Sequence, residues 1–234
     1  MKSDMKRMKI HREGRNIILF LVLLLFIINV PVYIYFNHWV FAVTLVLMAL
    51  LLIFVTYFFR NPLRVLEVDD PNFIIAPADG RVVVVEPTME HEYFHEERLQ
   101  VSVFMSPFNV HANWVPIEGE VLCSEHQSGR HKGAWLPKSS TENERSLVVI
   151  RTHNNVDIAV RQIAGAMARR IVTYTKKGTH AQRNAHLGFI KFGSRVDMYL
   201  PLDTEMFVAV GDHVTGNETI IGRLNNTLEN TEKQ

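Results

Sequence analysis

Residues 16–59 contain no Asp, Glu, Lys or Arg. This 44-residue charge-free stretch constrains the fold more than any other feature of the chain. It holds two apolar runs, 17–36 and 39–59, of 20 and 21 residues, with Asn37 and His38 between them. A helix rises about 1.5 Å per residue, so each run matches the roughly 30 Å hydrocarbon core of a bilayer. A helix packed on a soluble domain needs a polar face, and neither run offers one. The reading is a transmembrane helical hairpin. Asn29 and Pro31 interrupt the first run, which predicts a kink at Pro31. A re-entrant or interfacial first segment is the competing reading. A cleaved signal peptide is disfavoured, because NVPVYIYFNHW after the Leu-rich stretch has no small-residue cleavage pattern.

Flanking charge sets the orientation. Lys2, Lys6, Arg7, Lys9, Arg12 and Arg15 face only Asp4 and Glu13 in the N-terminal tail, and Arg60 and Arg64 follow the second run. The short connection carries no Lys or Arg, so the positive-inside rule puts both ends in the cytoplasm. Tyr33, Tyr35, Trp39 and Tyr57 sit where interfacial aromatics belong. The net charge of the whole chain is +1, which argues against nucleic acid as a partner. A single cysteine, Cys123, excludes an internal disulfide framework and any CxxC site. The expected organisation is a basic cytoplasmic tail (1–16), a two-helix membrane anchor (17–59) and a soluble domain on the cytoplasmic side (60–234).

The third segment reads mainly as strands. Short β-branched or apolar runs occur at 81–85, 99–104, 147–150, 156–160, 189–191, 196–200 and 207–210. Turn signals such as Asp79-Gly80, Asn154-Asn155 and Gly211-Asp212 punctuate them. The expected fold class is mainly β (α+β), built of antiparallel strands with few helices. One weakly periodic helical candidate lies at 163–170.

Several motifs suggest chemistry. His91-Glu92-Tyr93-Phe94-His95 is an HExxH, which on a helix would offer two imidazoles to zinc and Glu92 as a general base. Its window is polar and lies between Pro87 and a strand, and a third ligand is not identifiable, so a solvated connection is favoured and no metal is expected. The hydrolase-elbow pattern G-x-S-x-G is absent. Gly193-Ser194 has another chemical use, because a serine hydroxyl can attack the carbonyl that precedes it and glycine leaves that carbonyl unobstructed. His111 and Asp79 supply a base and an orienting carboxylate for such a nucleophile. Taken singly, the alternatives are a plain turn or bulge for Gly193-Ser194, a turn for Asp79-Gly80 and a structural histidine for His111. Residues 208–222, VAVGDHVTGNETIIG, also resemble the hairpin of a lipoyl-like module, although the tip is Gly211-Asp212 and carries no lysine.

Arg60-Asn61-Pro62 after a membrane segment, followed in order by APADGRV, VSVFMSPFNVHANWVPIEGEV, STENER, IAGAMARRIV and GFIKFGSRVDMYLP, resembles phosphatidylserine decarboxylase in its short, membrane-anchored bacterial form. The resemblance covers nearly all of residues 58–222. It implies a pyruvoyl enzyme made as a proenzyme, on the cytoplasmic side of a bacterial inner membrane. Ser194 would be the self-cleavage serine and pyruvoyl precursor, His111 the general base and Asp79 the residue that orients it. Cleavage between Gly193 and Ser194 would give a β chain (1–193) and an α chain (194–234) that form a heterodimer. Higher oligomers stay open. The covalent pyruvoyl group would form a Schiff base with phosphatidylserine, release carbon dioxide and yield phosphatidylethanolamine. Longer family members carry two closely spaced His in the block around His111, where this chain has one, with Trp114 on its far side. Arg130, Lys132, Lys138, Arg169 and Arg170 are candidates for meeting anionic head groups, and Met105, Phe108 and Trp135 for an acyl-facing entrance, against default readings of solvated face and core. The competing functions are a zinc-dependent membrane protease and a non-enzymatic lipoyl-like module.

Overall fold

Both apolar runs are helical in the computed structural model of the chain, which describes residues 8–129, 143–165, 170–191 and 194–225. The chain divides into two compact units, Met1–Leu63 and Arg64–Gln234.

In the first unit, α1 (Arg12–Tyr35) and α2 (His38–Phe58) form the hairpin. Asn37 caps α2, its Oδ1 accepting the Val40 N–H at 3.0 Å. The helix α1 runs through Pro31. Asn29 does not break it: its Nδ2 donates to the Leu25 carbonyl at 2.9 Å, and its Oδ1 accepts the Thr44 hydroxyl of α2 at 3.1 Å. A buried polar side chain in an apolar helix is thereby satisfied, once within its own helix and once across the pair. Near the ends, Phe59 packs so closely on Gly14 that a Cβ there would lie 2.3 Å from the ring. The strands β1 (Met8–Ile10) and β2 (Arg60–Pro62) pair antiparallel. Only 6% of the most apolar window of each helix is buried. A core helix of a soluble protein would be covered, so these two are long, apolar and bare, as a lipid-facing pair requires.

The second unit is built on an antiparallel sheet of eight strands among the described residues, in the order β11-β7-β8-β9-β13-β5-β4-β15. These are β4 (Gly80–Glu90), β5 (Glu96–Met105), β7 (Gly119–Gln127), β8 (Arg145–Arg151), β9 (Asp157–Ala164), β11 (His180–Ala181), β13 (Ser194–Leu200) and β15 (His213–Val214). Two three-stranded sheets accompany it. One joins β6 (Ala112–Trp114), β12 (His186–Ile190) and β10 (Ile171–Thr173); the other joins β3 (Phe73–Ile75), β16 (Ile220–Arg223) and β14 (Glu205–Met206). Six of the seven expected strands appear. Residues 207–210 do not form one: Gly211 at φ +107° turns the chain, the Ala209 N–H is taken by Asp212, and the Gly211 N–H bonds the Val82 carbonyl. The helical candidate fails at its start, since Ile163 and Ala164 complete β9, and 166–169 lie outside the described residues.

The period-two alternation of the central strands separates two buried faces. Val101, Val103 and Met105 of β5, Val148 and Ile150 of β8, Val160 and Ala164 of β9, and Val196, Met198 and Leu200 of β13 belong to the main apolar core. The opposite side of β13 carries Arg195, Asp197 and Tyr199, all buried. There Arg161 holds Glu90 at 2.6 Å and Glu92 at 3.1 Å, donates to the Tyr199 hydroxyl, and stacks 4.6 Å from that ring. Arg145 holds the other Glu92 oxygen at 2.6 Å. Burial raises the Tyr199 hydroxyl well above its usual range, with Asp197 adding to it. Glu90 also builds the β4–β5 turn, its carboxylate accepting the N–H groups of Glu92, Tyr93 and Phe94 at 2.8–3.0 Å.

Burial pushes the Glu90 carboxyl up, but those three N–H donors and Arg161 pull it further down, so its net shift is below the ordinary 4.5. A depressed carboxylate stabilises the fold fully above its unfolded value and ceases to do so as pH falls through the folded one. Glu90→Gln is therefore expected to cost about 3 kcal/mol at neutral pH, with the gap to wild type closing below pH 4.5. Unfolding in detergent, followed by tryptophan fluorescence at pH 7.5 and at pH 3.5, checks both halves of this expectation.

Candidate active site

The register of the central sheet puts Met105, Ser194 and Ala164 in one row across β5, β13 and β9. Asp79 stands one residue before β4, at the same end of the sheet, because Arg81 pairs with Phe104 and Phe104 with Arg195. After Met105 the chain makes a tight turn, closed by Asn109, whose Oδ1 accepts both the N–H and the hydroxyl of Ser106 at 2.8 and 2.7 Å. The turn delivers His111 to the start of β6. There the Ile190 N–H bonds the His111 carbonyl, beside the end of β12 that leads towards Ser194, and the Trp114 N–H bonds the Pro77 carbonyl just ahead of Asp79. Asp79, His111 and Ser194 are thus gathered at one end of the unit by strand register and one turn.

Each of the three is buried. The Ser194 hydroxyl donates to the Met105 sulfur at 3.2 Å. The His111 Nδ1 lies 2.9 Å from the Asn109 carbonyl, a geometry that puts the ring proton on Nδ1 and the basic lone pair on Nε2. Asp79 is held rigidly. Arg64 grips it bidentately, Nη2 to Oδ2 at 3.0 Å and Nη1 to Oδ1, and the Gly216 N–H donates to Oδ1 at 2.9 Å. Gly193 and Phe192 lie outside the described residues.

Arg64 is the residue that reading the sequence for chemistry passed over. Its guanidinium also donates to the Gly216 carbonyl at 3.0 Å and lies 5.1 Å from the Trp114 ring centroid. Gly216 is required at this approach, since a Cβ would fall 2.6 Å from the Trp114 ring. Its sequence signal is slight: an Arg four residues beyond Arg60, in the basic flank of the second apolar run.

Other candidates separate from this site. Residues 91–94 form a turn, not a helix, with His91 and His95 exposed and Glu92 bound to Arg145 and Arg161. With 11 residues in β4, that turn is about 30 Å from Asp79. Burial and Glu125 raise the half-buried Cys123 thiol, so it is a poor nucleophile. A cleft of about 390 Å³ opens at the far end of the β8–β9 hairpin, but its Arg151 is taken by Asp157 and its His180 by Glu118. Met105 is core and Phe108 is 65% exposed at the turn tip. Arg170 is exposed, and Arg130, Lys132, Lys138, Arg169 and Trp135 lie outside the described residues.

A family model for phosphatidylserine decarboxylase matches residues 51–222, which include α2's second part and the whole of this site. The chain belongs to the phosphatidylserine decarboxylase family. Curated phosphatidylserine decarboxylase proenzymes are similar to it along almost their whole length. That of Bacteroides fragilis is 50% identical over 224 residues, covering 95% of this chain and 98% of the relative. That of Parabacteroides distasonis is 52% identical over 223 residues, covering 93% and 99%. That of Cytophaga hutchinsonii is 47% identical over 216 residues, covering 92% and 98%. In this family member, Arg64 and the Gly216 N–H together fix the Asp79 carboxylate.

Removing Arg64 leaves a buried carboxylate without its partner. Arg64→Leu is expected to destabilise the fold by about 3 kcal/mol. Arg64→Leu combined with Asp79→Asn should recover part of that loss, because the uncompensated charge is gone. Thermal unfolding of the two single variants and the double variant in detergent gives the comparison. Additive losses would show that the pair is not coupled.

Proposed function

We propose that this chain is a self-processing phosphatidylserine decarboxylase of a bacterial inner membrane, with its catalytic unit on the cytoplasmic side. The observation that carries the reading is a buried serine hydroxyl at the start of β13, following Gly193 and sharing a sheet end with His111 and Asp79. Nothing about residues 91–95 favours the zinc protease, and the 208–222 hairpin carries no lysine at its tip.

Maturation follows from the residues themselves. His111 Nε2 takes the Ser194 hydroxyl proton, and Oγ adds to the Gly193 carbonyl carbon. The peptide C–N bond breaks and the nitrogen of residue 194 gains a proton, leaving an ester. Loss of the Cα proton of residue 194 expels the Gly193 carboxylate, and water then replaces the nitrogen as ammonia. Chain 1–193 and chain 194–234 result, the second beginning with a pyruvoyl group. Asp79 is assigned to orienting the base through the segment it anchors, since the Pro77 carbonyl ahead of it accepts the Trp114 N–H of β6, the strand that follows His111.

The site suits that group. Ser194 is wholly buried, and among the described residues its hydroxyl is bonded to the Met105 sulfur, a weak acceptor, so little is given up there when Oγ leaves with Gly193 and Cβ becomes the pyruvoyl methyl. The pyruvoyl carbonyl supplies an electrophile for the serine amine of the lipid and a sink for the electrons left by carbon dioxide. Around it, β5 and β9 fix residue 194 on both sides, and His111 handles protons. The product is phosphatidylethanolamine. Both helices of the first unit are long and apolar enough to cross a membrane, which suits a substrate that does not leave the bilayer. The excess of Lys and Arg on both flanks supports the cytoplasmic side.

Ser194→Ala is expected to leave a single uncleaved chain without decarboxylase activity. His111→Ala should block cleavage and Asp79→Asn should slow it, since removal of a base costs more than loosening its orientation. A gel and intact mass of each purified variant decide; fragments ending at residue 193 from Ser194→Ala would refute the assignment.

Deletion of residues 1–56 should lower turnover in liposomes more than self-cleavage, because cleavage is intramolecular whereas the lipid must meet a tethered site. Mixed micelles should restore part of the turnover. Equal turnover of full-length and truncated protein in liposomes would remove the tether from this account.

A further inference from the structure

The Ser194 hydroxyl and the Asn113 carboxamide converge on one sulfur atom. Ser194 Oγ lies 3.2 Å, and Asn113 Nδ2 3.6 Å, from Met105 Sδ. All three residues are completely buried. A thioether is a weak acceptor, and a dry interior normally matches an amide N–H with a carbonyl or hydroxyl. Asn113 is nevertheless held to this weak partner by a dedicated network. Gln162 Nε2 donates to Asn113 Oδ1 at 2.7 Å, which turns the oxygen away and the NH2 group towards the sulfur. Gln162 is fixed in turn, its Oε1 accepting the hydroxyls of Ser146 at 2.8 Å and Thr173 at 2.9 Å. Gly188 of β12 leaves the room, since a Cβ there would lie 2.6 Å from Gln162 Nε2. Four residues on four strands thus orient one N–H pair towards the sulfur that the serine hydroxyl also meets. A packing role alone would need none of them. Asn113 also lies two residues after His111 and so shares its side of the β6 segment.

We propose that Asn113 is a catalytic hydrogen-bond donor to the Oγ of residue 194, and that Gln162 is its positioning residue. The inference rests on the self-processing reading given above. Charge gathers on Oγ when the hydroxyl proton passes to His111. It gathers there again when the ester eliminates: the Cα proton leaves, a Cα–Cβ double bond forms, and the Cβ–Oγ bond breaks with its electron pair going to Oγ of the departing carboxylate. An N–H that turns from the shared sulfur to that oxygen stabilises the charge as it develops. Its benefit is greatest in elimination, where Oγ is the leaving atom.

The test is a maturation assay with hydroxylamine, which cleaves an accumulated ester and leaves an α chain that starts with unmodified serine. Asn113→Ala is expected to slow formation of the pyruvoyl-blocked α chain about 100-fold. It should also yield the serine-initiated α chain when hydroxylamine is added, by intact mass. Asn113→Asp, close in shape but without the donor, should give the same product and guards against a collapse of packing in the Ala variant. Gln162→Glu cannot donate to the Asn113 oxygen and should give a smaller slowing, about 10-fold, with the same trapped product. The proposal is overturned if Asn113→Asp matures at the wild-type rate, or if it is slow yet gives no serine-initiated chain. Cleavage of Ser194→Ala would instead overturn the self-processing reading itself, so the two failures are distinct.

Discussion

The strand that begins at Ser194 is hydrogen-bonded on both sides, to β5 from Met105 to Leu99 and to β9 from Ala164 to Ala159. Everything at the site is referenced to that double pairing. A residue at the first position of an interior strand cannot slip by one without turning its side chain to the opposite face. Here that would exchange Ser194 for Arg195 and move the core methionines and valines to the polar side. The apolar core therefore enforces the position of one hydroxyl, and the cost of misplacing it is the cost of unpacking the whole strand.

The two faces of the sheet meet different demands. The apolar side supplies the burial that holds the unit together. The other side buries charge in paired sets: Arg195 with Asp197, and Arg161 with Glu90, Glu92 and Tyr199, Glu92 being shared with Arg145. Such sets add little net stability compared with well-packed apolar side chains, but breaking one is expensive. Their effect is to make a slipped or partly formed sheet costly. The Glu90 cluster also explains why the HExxH pattern reads misleadingly: its Glu is committed to two arginines, and its backbone to the carboxylate of Glu90.

What could be read directly from the sequence follows the range of the physics involved. The helical hairpin is a property of contiguous residues, and the charge-free stretch is enough to reveal it. Most central strands are also local, since short β-branched runs between turn residues identify them. Residues 207–210 satisfy the same pattern, yet Gly211 and Asp212 draw them into a turn clamped to Val82, a contact 129 positions away in sequence. Asp79, His111 and Ser194 carry recognisable chemistry and stand out one by one. Their gathering depends on register, which single residues do not encode. Arg64, Asn113 and Gln162 stayed hidden for the same reason. Their residue types are common, and their meaning lies in partners such as Asp79 and Met105, reached only through the fold.

Cleavage before Ser194 would alter how this molecule can come apart and return. Beyond that bond lie β13, β14, β15 and β16, which insert into the middle of the large sheet, onto its edge, and into the small sheet with β3. As one chain, the unit folds by a first-order process. Once cut, the same structure can be rebuilt only when two fragments meet, so recovery becomes dependent on concentration. Each fragment alone would also expose unpaired strand edges, and these aggregate. The processed molecule would then persist because it opens slowly, and a single thermal excursion could retire it permanently.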